Sequence, residues 1–376
     1  MRYTVLFLFI FIQAIPVFSQ KISNSVELIA ESDKKTLSQV VDLDINFSDE
    51  QFQIFIADVF ISSVLVGKRK GQKITLEKGY GREGLGPGEF IEVTNVQLHP
   101  ENGLLVYDGN LAMISLFEVE TQKVEQTVKL DTRGRIHFPM EVLSLTEGND
   151  GSKLFYTKSE MFISDNSSES QERSVVIQVF NEDGKLVSDS LIVKPANDVF
   201  VYKKGGNVSV NPIPIWGRKS IIRINNDRIY SIWSGEPKIR IYDLKGLNVD
   251  SLNLELEQLE ITENDKSEAL KFEAMMMDIK KSRIREQLFL AMREDYWPWV
   301  HDFLIDDLER VWIGLPSHFG AESRTWRVYN LNGSLFKELE FPLDFTIHKV
   351  KDNYVVGEYF NFKKFTSTVR IYKVDL

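Results

Sequence analysis

The sequence predicts an all-β protein: a six-bladed β-propeller of four-stranded antiparallel blades, with an α-helical insertion between blades 4 and 5. Three observations lead to this prediction. Short runs of β-branched and aromatic residues, separated by Gly, Asn and Asp, dominate the chain, and such runs indicate strands joined by turns. One strand pattern recurs along the chain, and one segment changes to a helical spacing of its apolar residues.

The recurring pattern is a strand of alternating residues followed by a short polar turn, as in VVIQVFNEDGK, KIRIYDLKGL and RVYNLNGS. Its six copies are anchored at Val66, Phe117, Phe180, Tyr242, Tyr329 and Tyr372. The spacings of 51, 63, 62, 87 and 43 residues fit four-stranded units plus loops, and units of this size arranged radially form a propeller. The sixth unit contains only three strands before the chain ends at Leu376, so we expect residues 25–31 to supply its outer strand and close the ring.

The helical segment begins at Thr262, which forms a capping-box pattern with Asp265. From there to about Asp295 the apolar residues keep a spacing of three to four. This spacing predicts one long or two short amphipathic helices. The insertion, about residues 258–296, accounts for the 87-residue spacing between two of the anchors.

The first nineteen residues, MRYTVLFLFIFIQAIPVFS, have the pattern of a secretory signal peptide. The apolar run is shorter than a bilayer-spanning helix, and small residues precede a cut before Gln20. An uncleaved membrane anchor is the alternative. We therefore expect a secreted or periplasmic protein whose propeller occupies residues 20–376, with no transmembrane segment in the mature chain.

The composition excludes several classes of site. The chain has no cysteine, so disulfides, thiolate metal sites and cysteine nucleophiles are excluded. Its net charge of −10 argues against a nucleic-acid partner, which would require a basic surface. The sequence predicts no cofactor and no metal site.

The motif GREGLGPGEF, residues 81–90, and the C-terminal runs VWIG, RTWRVYNLNGSLFKELEFP, VKDNYVVGEYF and VRIYKVDL resemble the bacterial secreted six-bladed propellers related to NHL-repeat and TolB-like propellers. The resemblance covers essentially the whole mature chain and implies the fold. Such propellers include binding modules, signalling domains and a few lyases or hydrolases, so it does not fix an activity. The motif itself is interpreted as a crossing between blades 1 and 2, because it lacks the Lys-Ser/Thr ending and the helix of a phosphate loop.

The long loops are expected to gather on one face of the propeller, which we call the insertion-bearing face. Loops on a rigid scaffold commonly carry binding sites. The candidate binding residues on this face are Arg82, Glu83, Arg133, Arg135, Trp216, Arg218, Trp297 and Trp299. The tryptophans have a second interpretation, in which Trp297 and Trp299 seal the insertion onto the blades.

Catalytic candidates are His137, His301 and His348, which lie in or beside strands expected to surround the central channel. A histidine there could act as a general base, but most isolated histidines are structural. Two acidic stretches are interpreted as structural: DLDINFSDE, from Asp42 to Glu50, as strand and turn, and the group Asp306, Asp307 and Glu309 as a solvated turn.

Three functional hypotheses follow. The first is a non-catalytic module that binds a protein or glycan partner through the insertion-bearing face. The second is a propeller lyase or hydrolase with a histidine site at the mouth of the channel. The third is a structural domain of an envelope assembly.

Overall fold

The computed structural model of the chain describes residues 25–33, 37–48, 51–58, 60–99, 103–147, 151–161, 173–204, 207–212, 216–276, 294–362 and 364–376. The expected signal peptide, residues 1–19, lies outside the described residues, as does segment 277–293 of the expected insertion. Within the described residues the protein is all-β in a propeller arrangement, with a single short helix.

Four separate antiparallel sheets of four strands each form blades. Within each of them the strands pair in sequence order, because short turns join neighbours. The first two blades contain β8 (Val93–His99), β9 (Gly103–Asp108), β10 (Met113–Phe117) and β11 (Val124–Lys129), then β12 (His137–Glu147), β13 (Lys153–Met161), β14 (Ser174–Asn181) and β15 (Leu186–Pro195). The other two contain β18 (Ser220–Asn225), β19 (Arg228–Trp233), β20 (Lys238–Asp243) and β21 (Asn248–Asn253), then β22 (Asp302–Ile305), β23 (Val311–Gly314), β24 (Ser323–Tyr329) and β25 (Leu335–Pro342).

The remaining large sheet has eight strands in the order β2-β3-β4-β5-β1-β28-β27-β26. These strands come from both ends of the described chain. They are β1 (Val26–Ser32), β2 (Val40–Ser48), β3 (Gln51–Asp58), β4 (Val64–Lys70), β5 (Lys73–Tyr80), β26 (Phe345–Lys351), β27 (Tyr354–Asn361) and β28 (Thr366–Val374).

The prediction of a six-bladed propeller of separate four-stranded blades is therefore wrong. Strand β1 is hydrogen-bonded on both sides: it is antiparallel to β28, starting at Val26↔Val374, and parallel to β5 through Glu31↔Lys73. The parallel pairing fuses into one sheet two sets of strands that the repeat pattern assigned to different blades. The repeat in the sequence predicts where strands lie. The number of separate sheets depends on hydrogen bonds between strands that are remote in the chain.

Three small elements lie in the connections between blades. A parallel pair, β6 (Arg82–Glu83) and β7 (Glu89–Phe90), closes the glycine-rich motif. An antiparallel hairpin, β16 (Val199–Lys204) and β17 (Asn207–Pro212), precedes β18. Helix α1 (Glu263–Met276) lies between β21 and β22, so the described part of the insertion contains one helix.

Six strands surround the centre of the molecule. Strand β2 contacts β8, and the contacts continue through β12, β18, β22 and β26 back to β2. These inner strands all begin at the insertion-bearing face, which contains loops 81–92, 130–136, 196–219 and 254–301. Loops 58–64 and 361–366 reach the same face, because β3 and β27 end where β2 and β26 begin.

The apolar core lies between neighbouring sheets, because each sheet buries both of its faces against the next. Tyr107 on β9 and Phe155 on β13, for example, belong to one buried cluster. All six residues that anchor the sequence repeat are buried. The repeated aromatic position is therefore a packing position between sheets.

Candidate functional site

The glycine-rich motif forms a loop in which the carboxylate of Glu89 is hydrogen-bonded by other groups of the same loop. The carboxylate of Glu89 accepts hydrogen bonds from Arg82 Nε (2.9 Å) and from the backbone N–H groups of Gly86 (2.9 Å) and Leu85 (3.1 Å). The Gly86 and Arg82 contacts lower the pKa of Glu89. Phe90 is fully buried against Phe117, with ring centroids 6.1 Å apart. The motif thus anchors the crossing between two sheets while Glu83 stays exposed.

The candidate arginines on this face already have acidic partners. Besides the Arg82–Glu89 pair, Arg133 Nε lies 2.9 Å from Asp131 Oδ1, and Arg218 Nε lies 2.8 Å from Asp198 Oδ2. Arg135 donates to the carbonyl of Asp131 and lies 3.9 Å from Asp189. An anionic ligand would have to displace these contacts, so the arginines do not form a prepared anion site.

The candidate tryptophans pack inside the insertion. Trp216 and Trp297 meet edge to face, with ring centroids 5.9 Å apart, in a buried cluster with Ile261 and Ala269 of the helical region. Only 5% of Trp216 and 4% of Trp297 is exposed. Trp299 packs partly buried against the cluster between the last two separate blades. This placement favours the interpretation in which the tryptophans seal the insertion.

The three candidate histidines have different surroundings. His137 Nε2 lies 3.1 Å from Ser174 Oγ on the same sheet. His301 precedes β22; burial, together with nearby Arg324 and Lys219, holds its pKa well below the usual value. Around the ring of inner strands, β12 with His137 is separated from β26 with His348 by two strands in either direction. The structure therefore does not bring all three to one point.

His348 lies closest to a carboxylate. Its Nδ1 is 3.9 Å from Asp42 Oδ1. Burial lowers the pKa of His348 to about 4, so the imidazole is neutral at neutral pH. In the part of the chain that the structure describes, no group of three or more His, Asp or Glu side chains could hold a metal ion.

Sequence reasoning missed a set of exposed apolar side chains. Sixteen large apolar side chains are exposed among the described residues. Seven of them lie in loops of the insertion-bearing face: Phe60, Leu85, Ile91, Ile136, Tyr296, Phe362 and Phe365. The described residues in the loops of the opposite face include two, Leu247 and Leu308. The sequence does show that these large apolar residues lie among turn-forming residues. A search for strand patterns does not consider such positions.

Two buried aspartates fix the loops that carry part of this apolar set. Asp58 accepts hydrogen bonds from the N–H groups of Ser38 (2.8 Å) and Phe60 (3.0 Å). Asp108 accepts one from Ile91 (2.6 Å). Since buried carboxylates need such partners, each Asp determines where its loop lies. Phe60 and Ile91 are therefore presented on ordered backbone.

Hydrogen bonds link the loops that carry part of the apolar set. Ser62 Oγ donates to the carbonyl of Ile91 (2.9 Å), which links the loops of Phe60 and Ile91. Ser367 Oγ donates to the carbonyl of Ser38 (3.1 Å). Segment 37–39 thus lies between loop 58–64 and loop 361–366. We call Phe60, Ile91, Phe362 and Phe365 the apolar patch.

A polar cavity of about 1030 Å³ occupies the centre of the ring of inner strands. Its wall contains the ion pairs Lys349–Asp44 at 3.1 Å, Arg223–Asp302 at 3.6 Å and Lys158–Glu141 at 3.9 Å. The carboxylate of Asp42 accepts hydrogen bonds from Asn95 Nδ2 (2.6 Å) and from the backbone N–H of Val96 (2.9 Å). Burial raises the pKa of Asp42 to about 7.

The sequence did not identify this cavity as a site. Asp42 belongs to the stretch that the sequence predicts to be strand and turn, and it does lie on strand β2. The period-two alternation could have shown that Asp42 and Asp44 share one side of the strand. Only the closed ring shows that this side faces the cavity.

No protein-family model matches the chain, and no curated protein matches it. Among solved structures, a member of the DUF4221 family from Bacteroides vulgatus has a TM-score of 0.53 at 10% identity, covering 94% of this chain and 99% of its own. An inferred exported protein from Bacteroides fragilis has a TM-score of 0.49 at 13% identity, covering 95% and 98%. The first likeness shows the propeller-like fold, and at this identity it shows the fold alone. In the described part of the chain, no helix has the length and apolar character to cross a bilayer.

Proposed function

We propose that this chain is an exported, non-catalytic propeller that binds a protein partner through the insertion-bearing face. The observation that carries the proposal is the apolar patch, together with the seven-to-two distribution of exposed apolar side chains in the loops of the two faces. Exposed apolar groups that cluster on one surface mark interaction sites, whereas scattered ones do not. Export rests on the N-terminal sequence, residues 1–19.

A protein partner is favoured over a glycan by the residue types. The exposed side chains are Phe, Ile, Leu and Tyr, whereas Trp216 and Trp297, the broad rings suited to sugar stacking, are buried. The candidate arginines on the same face already have acidic partners, and such paired charges suit the polar surroundings of a protein interface. The resemblance of GREGLGPGEF to NHL-repeat and TolB-like propellers enters this proposal only at the level of the fold.

A hydrolase or lyase receives less support. His301 lies beside two cations, Arg324 and Lys219, which disfavour its protonated form. His348 has one carboxylate, Asp42, at 3.9 Å. A general base needs a nucleophile or substrate proton within about 3 Å, and the surroundings of His301 and His348 provide no second reacting side chain at that distance within the described residues. His137 has Ser174 Oγ at 3.1 Å, but His137 is buried and does not line the central cavity.

The test compares two double variants that remove equal numbers of exposed apolar groups. Phe60→Ser with Phe365→Ser alters the apolar patch, and Leu247→Ser with Leu308→Ser alters the opposite face. Each purified protein is immobilised and exposed to an envelope extract of the producing organism, and bound proteins are quantified by mass spectrometry. We expect one partner to bind wild type and the opposite-face variant equally. The amount of this partner bound to the patch variant should be lower by about tenfold or more.

Equal melting temperatures of the two variants show that both are folded. Equal binding of the partner to the patch variant contradicts the proposal, as does the absence of any specifically bound protein. Binding that survives protease treatment of the extract but not glycosidase treatment would assign a glycan ligand instead.

A further inference from the structure

The wall of the central cavity is acidic. Among the residues that line it, acidic side chains outnumber lysines and arginines by nine to four. Three of the four basic residues form the ion pairs with Asp44, Asp302 and Glu141 described above. Asp42 has no lysine or arginine within 4.0 Å among the described residues, so one partly buried carboxylate facing the cavity lacks a cation.

Two polar atoms beside Asp42 also lack partners. Asn95 on β8 is 3% exposed and donates its Nδ2–H to Asp42, while its Oδ1 is buried without a hydrogen bond. The Nε2 of His348 on β26 is buried without one as well. Asp42, Asn95 and His348 all line the cavity. A buried polar atom without a partner costs free energy, so a hydrogen-bond donor that enters the cavity, from water or from a ligand, would stabilise each of these atoms.

All three groups offer acceptors when Asp42 is ionised. The ionised carboxylate of Asp42 and the carbonyl oxygen of Asn95 can only accept. The neutral imidazole of His348 has one donor and one acceptor nitrogen. Its Nδ1 lies 3.9 Å from Asp42 Oδ1, beyond hydrogen-bond distance, and in the tautomer with the proton on Nδ1, Nε2 is the acceptor. An alkylammonium group carries one positive charge and three N–H donors, which matches three acceptors and one unpaired carboxylate.

We propose that the central cavity binds an organic cation through a primary ammonium group held by Asp42, Asn95 and His348. The cavity volume of about 1030 Å³ lies at the upper end of the range for small-ligand sites. The ammonium group could belong to a free amine or to a lysine side chain of a peptide. This inference concerns the cavity and does not depend on the apolar patch.

Protonation of Asp42 gives the site a pH dependence. Burial, with the Glu141 and Asp44 carboxylates nearby, raises the pKa of Asp42 to about 7. The other groups that face it are His348, which is neutral at this pH, and Lys349, whose pKa the Asp44 carboxylate raises. A bound ammonium favours ionised Asp42, so binding at pH 6 to 7 releases a proton and becomes tighter as pH rises to about 8.

The experiment is isothermal titration calorimetry on the full mature protein. The small probe is 1,4-diaminobutane, and its control is the same diamine with both nitrogens trimethylated, which keeps both charges without N–H donors. The peptide probe is a short lysine peptide, and its control contains trimethyl-lysine. We expect one or both primary amines to bind in a 1:1 ratio and at least about tenfold more tightly than the methylated control.

The variants separate the site from the general acidity of the cavity. Asp42→Asn should weaken binding about tenfold or more, whereas Asp227→Asn, an exposed lining residue in the β18–β19 turn, should leave it unchanged. Proton release by wild type, measured in two buffers of different ionisation enthalpy, tests the role of Asp42 without any variant. The proposal is overturned if no primary amine binds, if the methylated controls bind equally, or if both variants weaken binding alike.

The two amine probes distinguish the sources of the cation. Binding of the diamine indicates a small-molecule ligand, and binding of the peptide alone indicates a lysine of a partner. Either result supports the ammonium site. The patch variant should bind the amine as wild type does, so failure of the amine site and failure of the proposed function are distinguishable.

Discussion

The Nδ1 of His318 donates a 2.8 Å hydrogen bond to Oδ2 of Asp265, which joins loop 315–322 to the first turn of helix α1. The backbone N–H of Phe319 donates a 2.9 Å hydrogen bond to the other carboxylate oxygen, Oδ1 of Asp265. Asp265 also accepts from Thr262 N (2.9 Å), while Thr262 Oγ1 accepts from Asp265 N (3.1 Å). This reciprocal pair is a capping box, so one buried carboxylate both starts the helix and attaches it to a blade.

Replacing Asp265 by Ala should detach the insertion. The loss of the cap and of the contacts to loop 315–322 should lower the free energy of unfolding by about 2 kcal/mol. Glu263→Ala is the matched control, because Glu263 lies in the same turn and is exposed. Denaturant titration gives both values. Equal stabilities of the two variants would show that the carboxylate does not anchor the helix.

Asp265 should also contribute to acid sensitivity. Burial acts to raise its pKa, but hydrogen bonds from Thr262, His318 and Phe319 outweigh burial and lower it. A lowered folded-state pKa gives stability that is complete above the unfolded value, near 4, and is lost as pH falls through the folded value. Asp265→Asn should therefore flatten the decrease in stability below about pH 4, and an unchanged acid profile would refute this.

Asp306 should be a major stabilising residue, contrary to the solvated turn expected from sequence. Its buried carboxylate accepts from Arg310 Nε (2.6 Å), Arg310 N (2.7 Å) and Trp312 Nε1 (2.9 Å). Asp306→Ala leaves a buried guanidinium without its partner and should cost about 3 to 5 kcal/mol. The adjacent Asp307→Ala, at an exposed position, should cost less than about 1 kcal/mol. Thermal and denaturant unfolding measure both.

Asp42 should make the protein less stable as pH rises through the mildly acidic range. Burial raises its folded-state pKa to about 7, from an ordinary value of 3.8. Between these values the folded state keeps a proton that the unfolded state has lost, so stability falls by on the order of 4 kcal/mol from pH 4 to 7. Asp42→Asn should remove this slope. Identical pH profiles of wild type and Asp42→Asn would contradict the assignment.

Gly81 should tolerate no side chain. Its φ is +75°, and a Cβ there would overlap the ring of Phe90 and lie 2.9 Å from the carbonyl oxygen of Gly88. Gly71 has a similar φ of +62° with nothing within 4 Å of its Cβ position. Gly71→Ala should cost about 1 kcal/mol from backbone strain, and Gly81→Ala clearly more because of the added overlap. Equal unfolding free energies would mean that Phe90 can move aside.

The sequence predicted particular parts of the fold well. The repeated aromatic positions, such as Phe117 and Tyr372, are buried between sheets, because alternation and turn residues report local strand structure directly. The capping box at Thr262 and Asp265 is present for the same reason, since it involves residues three positions apart. The prediction of six separate blades failed at β1, whose parallel pairing with β5 leaves no mark on either strand's pattern.

The candidate site could be predicted only in part. The expected face does carry exposed apolar side chains, but Trp216 and Trp297 are buried, and Phe60 and Ile91 were overlooked. Burial depends on what packs against a residue, and here the packing partners come from remote segments. Trp216 and Trp297 are the clearest case: they are far apart in the chain, and each helps to bury the other in an edge-to-face contact.

By itself the sequence determined the all-β class, the positions of most strands and turns, the helix start at Thr262 and the absence of cysteine chemistry, because these depend on residue type and local spacing. Only the tertiary structure decided the number of separate sheets, which loops share an apolar patch, and that Asp42, Asn95 and His348 face one cavity. Those features arise where segments remote in the chain meet, and hydrogen bonds, desolvation and packing across such contacts are not encoded in any single stretch of residues.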